Sequence, residues 1–208
     1  MRYLKIMGLA AIAATALMAF LGAGTASATV LCKTQITEGC AASGWAYPVG
    51  TKGVASLVGS GLMETLSGEV LITCGSSKAE ETLQTAGSAT TTITGKSEGK
   101  GITWGECTNT VDVLSGGEGE LHWISGTDNG TVTAKGFEVT TAILGVSCVY
   151  GLGSTMKDWG EVVGGAPGFM NINAVVPKVS GSFLCPKETR LTAKYINTEP
   201  AAGYVAAS

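Results

Sequence analysis

The chain has 208 residues, of which 45% are hydrophobic and only 14% charged, with 13 basic and 16 acidic side chains and a net charge of −3. Charged residues usually make up ~25% of a chain, and no basic block stands out, so the electrostatic footprint of a nucleic-acid binder is missing. Glycine, at 31 residues, is about twice its usual ~7% share, and the apolar residues alternate. That combination excludes a disordered chain and predicts short strands joined by tight turns.

The chain opens with Arg2 and Lys5, then an apolar or small-residue run from Ile6 to Gly22, then Ala26-Ser27-Ala28. This is the layout of a secretory signal peptide, with cleavage expected after Ala28. The apolar run is short of the ~20 residues that a spanning helix needs, which argues against an uncleaved anchor. Leu31 stands where a small residue would precede a lipoprotein cysteine, so Cys32 is not expected to carry lipid. No later run is long enough for a spanning helix. The organisation expected is a signal peptide over 1–28 and an all-β domain over 29–208, as one unit or as two β-layers or subdomains. The leader takes two basic residues and no acidic ones, so the mature net charge drops to about −5.

The mature part contains all six cysteines, at 32, 40, 74, 107, 148 and 185. An even number in an exported chain predicts disulfides rather than a metal site. There is no Cys-x-x-Cys, and the single histidine, His122, has no ligand spacing with any cysteine, so neither structural zinc nor another cofactor is expected. Many pairings are open; the sequential one is taken as the expectation: Cys32–Cys40, Cys74–Cys107 and Cys148–Cys185.

Strand signals then follow regularly. "GEVLITC" sets Val70, Ile72 and Cys74 against Glu69, Leu71 and Thr73. "SSKAEETLQTAG" carries a helix hint: Ser77 and Glu80 at capping-box spacing, Ala79, Leu83 and Ala86 at helical spacing, and Gly87 as a stop. Its threonines favour a polar strand or loop equally. "TTTIT", "GITWGEC" and "NTVDVLS" read as strands, and "GELHWIS" leads into Asn129-Gly130, a two-residue hairpin signal. "FEVTTAILGVSCVY" puts Val146, Cys148 and Tyr150 on one face. "GFMNINAVV" and "TRLTAKYI" alternate Met170, Ile172 and Ala174, then Leu191, Ala193 and Tyr195. Roughly ten to twelve strands are predicted, in a disulfide-stabilised β-sandwich with Greek-key or jelly-roll-like connections. "GEVLITCGS" and "ILGVSCVYG" echo each other weakly.

At "TVLCK", "YPVGT" and "TWGECT" the chain resembles a group of uncharacterised secreted actinobacterial proteins with paired cysteines and Gly/Thr-rich strands. The resemblance implies export and β-architecture. It implies no activity and no functional residues.

The stretch "SGGEGELHWISG" from Ser115 carries the main chemical question. Glu118, Glu120 and His122 recur at every second position, so on a strand they share one face with second neighbours ~6.5–7 Å apart. Paired carboxylates on a strand can serve a glycosidase, which makes these three the candidate catalytic residues. Gly119, Leu121 and Trp123 form the opposite face, and the ordinary reading is a half-buried strand with its Glu/His side in water. The same row plus Asp112 or Asp128 falls short of a complete metal set. "ITGKSEG" resembles the end of a phosphate-binding loop, but Thr90 stands where the first glycine belongs. Any Ser-His-Asp triad built around His122 lacks a strand–turn–helix serine motif. Trp45 and Trp159 lie in turn-like contexts and are the candidate ligand-binding residues, by stacking on sugar rings.

The expected function is a secreted or cell-surface, non-catalytic module with a binding or structural role toward an unknown extracellular or cell-envelope partner. The alternative is an extracellular glycan hydrolase using Glu118 and Glu120.

Overall fold

A computed structural model describes residues 29–36, 40, 44–88, 90–97 and 99–208. The expected signal peptide lies outside the described residues. The described chain is all β, about 63% strand, without a helix. Its fifteen strands are β1 (Thr29–Cys32), β2 (Lys52–Leu57), β3 (Gly61–Glu64), β4 (Val70–Leu83), β5 (Ile93–Lys96), β6 (Ile102–Cys107), β7 (Val111–Ser115), β8 (Glu118–Trp123), β9 (Gly130–Lys135), β10 (Glu138–Ile143), β11 (Val146–Gly151), β12 (Lys157–Val163), β13 (Phe169–Gly181), β14 (Glu188–Glu199) and β15 (Tyr204–Ala207).

The sheet closes on itself. β4 pairs with β5, β5 with β8, β8 with β9, β9 with β12, β12 with β13 and β13 with β14, all antiparallel. β14 returns to β4 through β2 and β3, which occupy one interrupted position between them. The result is an eight-stranded barrel rather than the two facing layers of the expected sandwich. Closure needs partners distant in sequence, which local alternation does not report. It also removes the exposed edges that a long sheet would carry.

Three long strands run beyond the ring. β6 pairs with the middle of β4, from Cys74↔Cys107 to Ala79↔Ile102. β7, β10 and β11 form a sheet that joins the C-terminal end of β13. Here the core is filled. Phe137, Val139, Tyr150, Val176 and Tyr195 are almost fully buried, and the Phe137 and Trp159 rings pack 5.0 Å apart. The alternation expected of Ile172 and Ala174, and of Leu191, Ala193 and Tyr195, matches the buried positions of β13 and β14.

The three disulfides are the sequential ones: Cys32–Cys40, Cys74–Cys107 and Cys148–Cys185. Two of them brace the filled core. The helix hint at "SSKAEETLQ" is overturned, since Ser77 to Leu83 form the second half of β4. Hydrogen bonding by β2 on one side and by β5 and β6 on the other overrides the local capping pattern. The β8–β9 hairpin exists, but Asn129-Gly130 is not its turn. The chain reverses over 124–129, where the Ile124 N–H donates to the Asn129 carbonyl. The Asn129 side chain instead accepts from the Gly164 N–H at 3.0 Å, and Gly130 begins β9 opposite Trp123.

β1 and β15 pair into a separate ribbon. It lies against the end of the barrel where β8 turns into β9: the Trp123 N–H donates to Thr29 Oγ1 and the Val205 N–H to the Asp128 carbonyl.

Candidate functional site

The barrel holds a cavity of about 200 Å³, and all eight staves contribute to its wall. Alternation explains which side chains reach it. Ala79, Glu81 and Leu83 from the C-terminal half of β4 face inward. Ile93 and Gly95 of β5 stand opposite Leu121 and Gly119 of β8. The wall is mostly apolar, with Val132, Val162 and Met170 completing the far side. At the ribbon end, Leu83, Ile93 and Tyr47 are buried together, with Leu31 and Leu121 packed on them. The Tyr47 hydroxyl donates to the Ala202 carbonyl at 2.8 Å, tying the 44–47 segment to the chain just before β15. Burial raises the Tyr47 phenol above 10.0.

The charged side chain that lies over the inner wall is Glu81. The Glu81 carboxyl lies over Gly95 and Gly119, a register pair on adjacent strands. A Cβ at Gly95 would sit 2.3 Å from Glu81 Oε1, and one at Gly119 would sit 3.3 Å from it. Two glycines side by side thus leave a bare patch of wall that admits the carboxyl. Glu81 lines the cavity, and its accessible area is that of an exposed residue. The space that its carboxyl reaches is the lumen. Desolvation pushes this carboxyl above its ordinary 4.5. Among the described residues it has no hydrogen-bond or ion-pair partner.

The row singled out from sequence lies on the outer face of the same strand. Glu118 is paired with Lys135 at 3.1 Å and with Lys96 at 3.8 Å, across both neighbouring strands. Glu120 and His122 approach within 3.7 Å of each other, about one-third exposed. β8 therefore places Gly119 and Leu121 toward the lumen and Glu118, Glu120 and His122 away from it, although Glu120 borders the cavity wall. Asp112 is paired with Lys100, and Asp128 accepts a 2.6 Å hydrogen bond from Gln35, so neither joins the row. Among the described residues no cluster of three His, Cys, Asp or Glu side chains is placed to hold a metal ion. Trp45 is 49% exposed, whereas Trp159 is 5% exposed. The surface stacking role considered for Trp159 gives way to core packing, because its strand alternation turns the indole inward.

Glu81 was not among the residues singled out from sequence. Two signals were available: an acid between Ala79 and Leu83 on an otherwise apolar strand face, and the glycines of "ITGKS" and "GEGEL" inside strands. The glycine that gives "ITGKS" its likeness to a phosphate loop is the one over which Glu81 lies.

The fold and site define a class: a closed antiparallel barrel, capped by a disulfide-tied ribbon, with a mainly apolar lumen bordered by carboxyls. No protein family, curated protein or solved structure matches the chain.

Proposed function

We propose that this is an exported, non-catalytic binding module that takes a small, mainly apolar molecule into its barrel lumen. The observation that carries the reading is the lumen itself. Protein interiors are ordinarily packed without voids of this size, and an apolar void forfeits contacts that a ligand would restore. A volume of about 200 Å³ exceeds the ~150 Å³ of a cavity that holds benzene. It falls below the ~300–1,000 Å³ of pockets for drug-sized ligands. An apolar wall also suits a polyhydroxylated sugar poorly, because sugar hydroxyls need partners once removed from water.

Export is supported by the leader pattern at 1–28 and by the three disulfides, which persist in oxidising compartments. Nothing in the geometry favours the hydrolase reading over this one. Glu118 is neutralised by two lysines, and the Glu118–Glu120–His122 face looks out from the barrel.

The test is methyl-region NMR of the oxidised protein titrated with toluene. Saturable shifts confined to Leu83, Ile93, Leu121 and Val132 support the reading. Shifts that are absent, or scattered over the outer surface, overturn it. A parallel screen of polysaccharide hydrolysis by the parent and Glu120→Gln proteins covers the alternative, and activity lost in the variant would establish it.

A further inference from the structure

We propose that the lumen is selective for a small amine, with an apolar body of one ring or a short chain inside the barrel and a single ammonium group seated on the Glu81 carboxylate. The inference rests on the binding-module reading and names its ligand class.

Three observations carry it. First, the Glu81 carboxyl is placed, not stray. It lies across the facing glycines Gly95 and Gly119: a Cβ at Gly95 would collide with it, and one at Gly119 would crowd it. Second, the carboxyl has no partner among the described residues. A carboxylate in a mainly apolar lumen gains a charge-assisted hydrogen bond when a ligand brings the donor. Third, the lining is of one sign. Glu81, Glu120 and Glu199 border the lumen, and among the described residues no lysine, arginine or histidine does. A ligand bearing a carboxylate or phosphate would meet like charge in a poorly solvated space, whereas an ammonium would gain a charge-assisted hydrogen bond. The rest of the wall, including Leu83, Ile93 and Leu121, supplies contact for the apolar body.

Four probes with the same ring separate the contributions: toluene, benzyl alcohol, benzylamine and benzoate, each titrated calorimetrically into the oxidised protein and into Glu81→Gln. In the parent protein benzylamine is expected to bind at least about tenfold more tightly than toluene or benzyl alcohol, with benzoate weakest. In Glu81→Gln the amine advantage disappears while toluene affinity stays within about twofold. Gly95→Ala, which displaces the carboxyl without removing it, is expected to reduce the amine advantage partway. Toluene binding without an amine advantage, or an advantage that survives Glu81→Gln, overturns the amine proposal and leaves the binding module standing. Failure of all four probes to bind overturns both.

Discussion

The same three strands build two different interiors. Along β4, Ile72 and Cys74 enter a filled core, whereas Glu81 and Leu83 line a hollow. Along β14, Leu191 and Tyr195 are packed, and Asn197 and Glu199 border the lumen. β13 runs the other way, from Met170 at the lumen to Val176 in the core. The filled half leaves a void of only about 20 Å³, against about 200 Å³ in the other. The difference lies in side-chain size. Phe137, Tyr150, Trp159 and Tyr195 fill the first half, whereas Gly53, Ala55, Ala79, Gly95 and Gly119 face the second. Two disulfides reinforce the filled half. One half is close-packed and cross-linked, and the other is hollow.

Core truncations should break this comparison most visibly. Trp159→Ala, in the filled half, is expected to cost about 3–5 kcal/mol. Met170→Ala, at the hollow, is expected to cost about 2 kcal/mol or less, at the low end for such a change, because a void already adjoins the side chain. Urea denaturation measures both, and equal costs would remove the distinction between the halves. Replacing Cys74 and Cys107 together by serine should cost up to about 4 kcal/mol by chain entropy. The Cys32 and Cys40 pair, closing a shorter loop, should cost up to about 2.5 kcal/mol. The second loss falls on the ribbon end and should speed toluene exchange in line-shape measurements, whereas the first should not.

Alkaline titration sharpens the comparison further. Burial pushes Tyr150 and Tyr195 from 10.0 up to about 12. Their hydroxyls serve the filled half, donating to the Pro186 carbonyl in one case and sharing a 2.7 Å hydrogen bond with Ser77 in the other. The unfolded chain releases these protons more readily than the folded protein. The stability they contribute is therefore complete below pH 10 and falls as pH rises toward 12. Absorbance of phenolate should show both tyrosines lagging, and ordinary titration near 10 would contradict their burial.

The smallest effect belongs to Glu81. Desolvation raises its carboxyl above 4.5 in the fold, so the folded state holds this proton more tightly than the unfolded chain does. Charging it subtracts stability as pH rises through and above 4.5. Glu81→Gln should therefore melt slightly higher than the parent at pH 7 and lose that margin below 4.5. A variant less stable than the parent at pH 7 would mean that the carboxyl has a partner in the empty protein.

Local features were legible in the sequence, and closure was not. The alternation of Ile172 and Ala174, and of Leu191, Ala193 and Tyr195, reads directly as strands because each face is consistently apolar or polar. The cysteines pair with their sequence neighbours, as the simplest pairing expects. Barrel closure depends on β14 reaching β2 and β3 across most of the chain, and strand period carries no information about distant partners. Glu81 was hidden for two reasons. Its neighbourhood imitates a helix start, and an acid in a strand ordinarily faces water. Only the joint presence of Gly95 and Gly119 shows that this one turns inward. In "SGGEGELHWISG" the acids are the conspicuous residues, while the glycine between them faces the lumen.

The most direct measurement is a crystal structure of the oxidised protein soaked in benzylamine. The account predicts ring density among Leu83, Ile93 and Leu121, with the nitrogen about 2.7–2.9 Å from a Glu81 carboxylate oxygen. A lumen closed by repacked side chains, or an amine bound only on the outer surface, would contradict it.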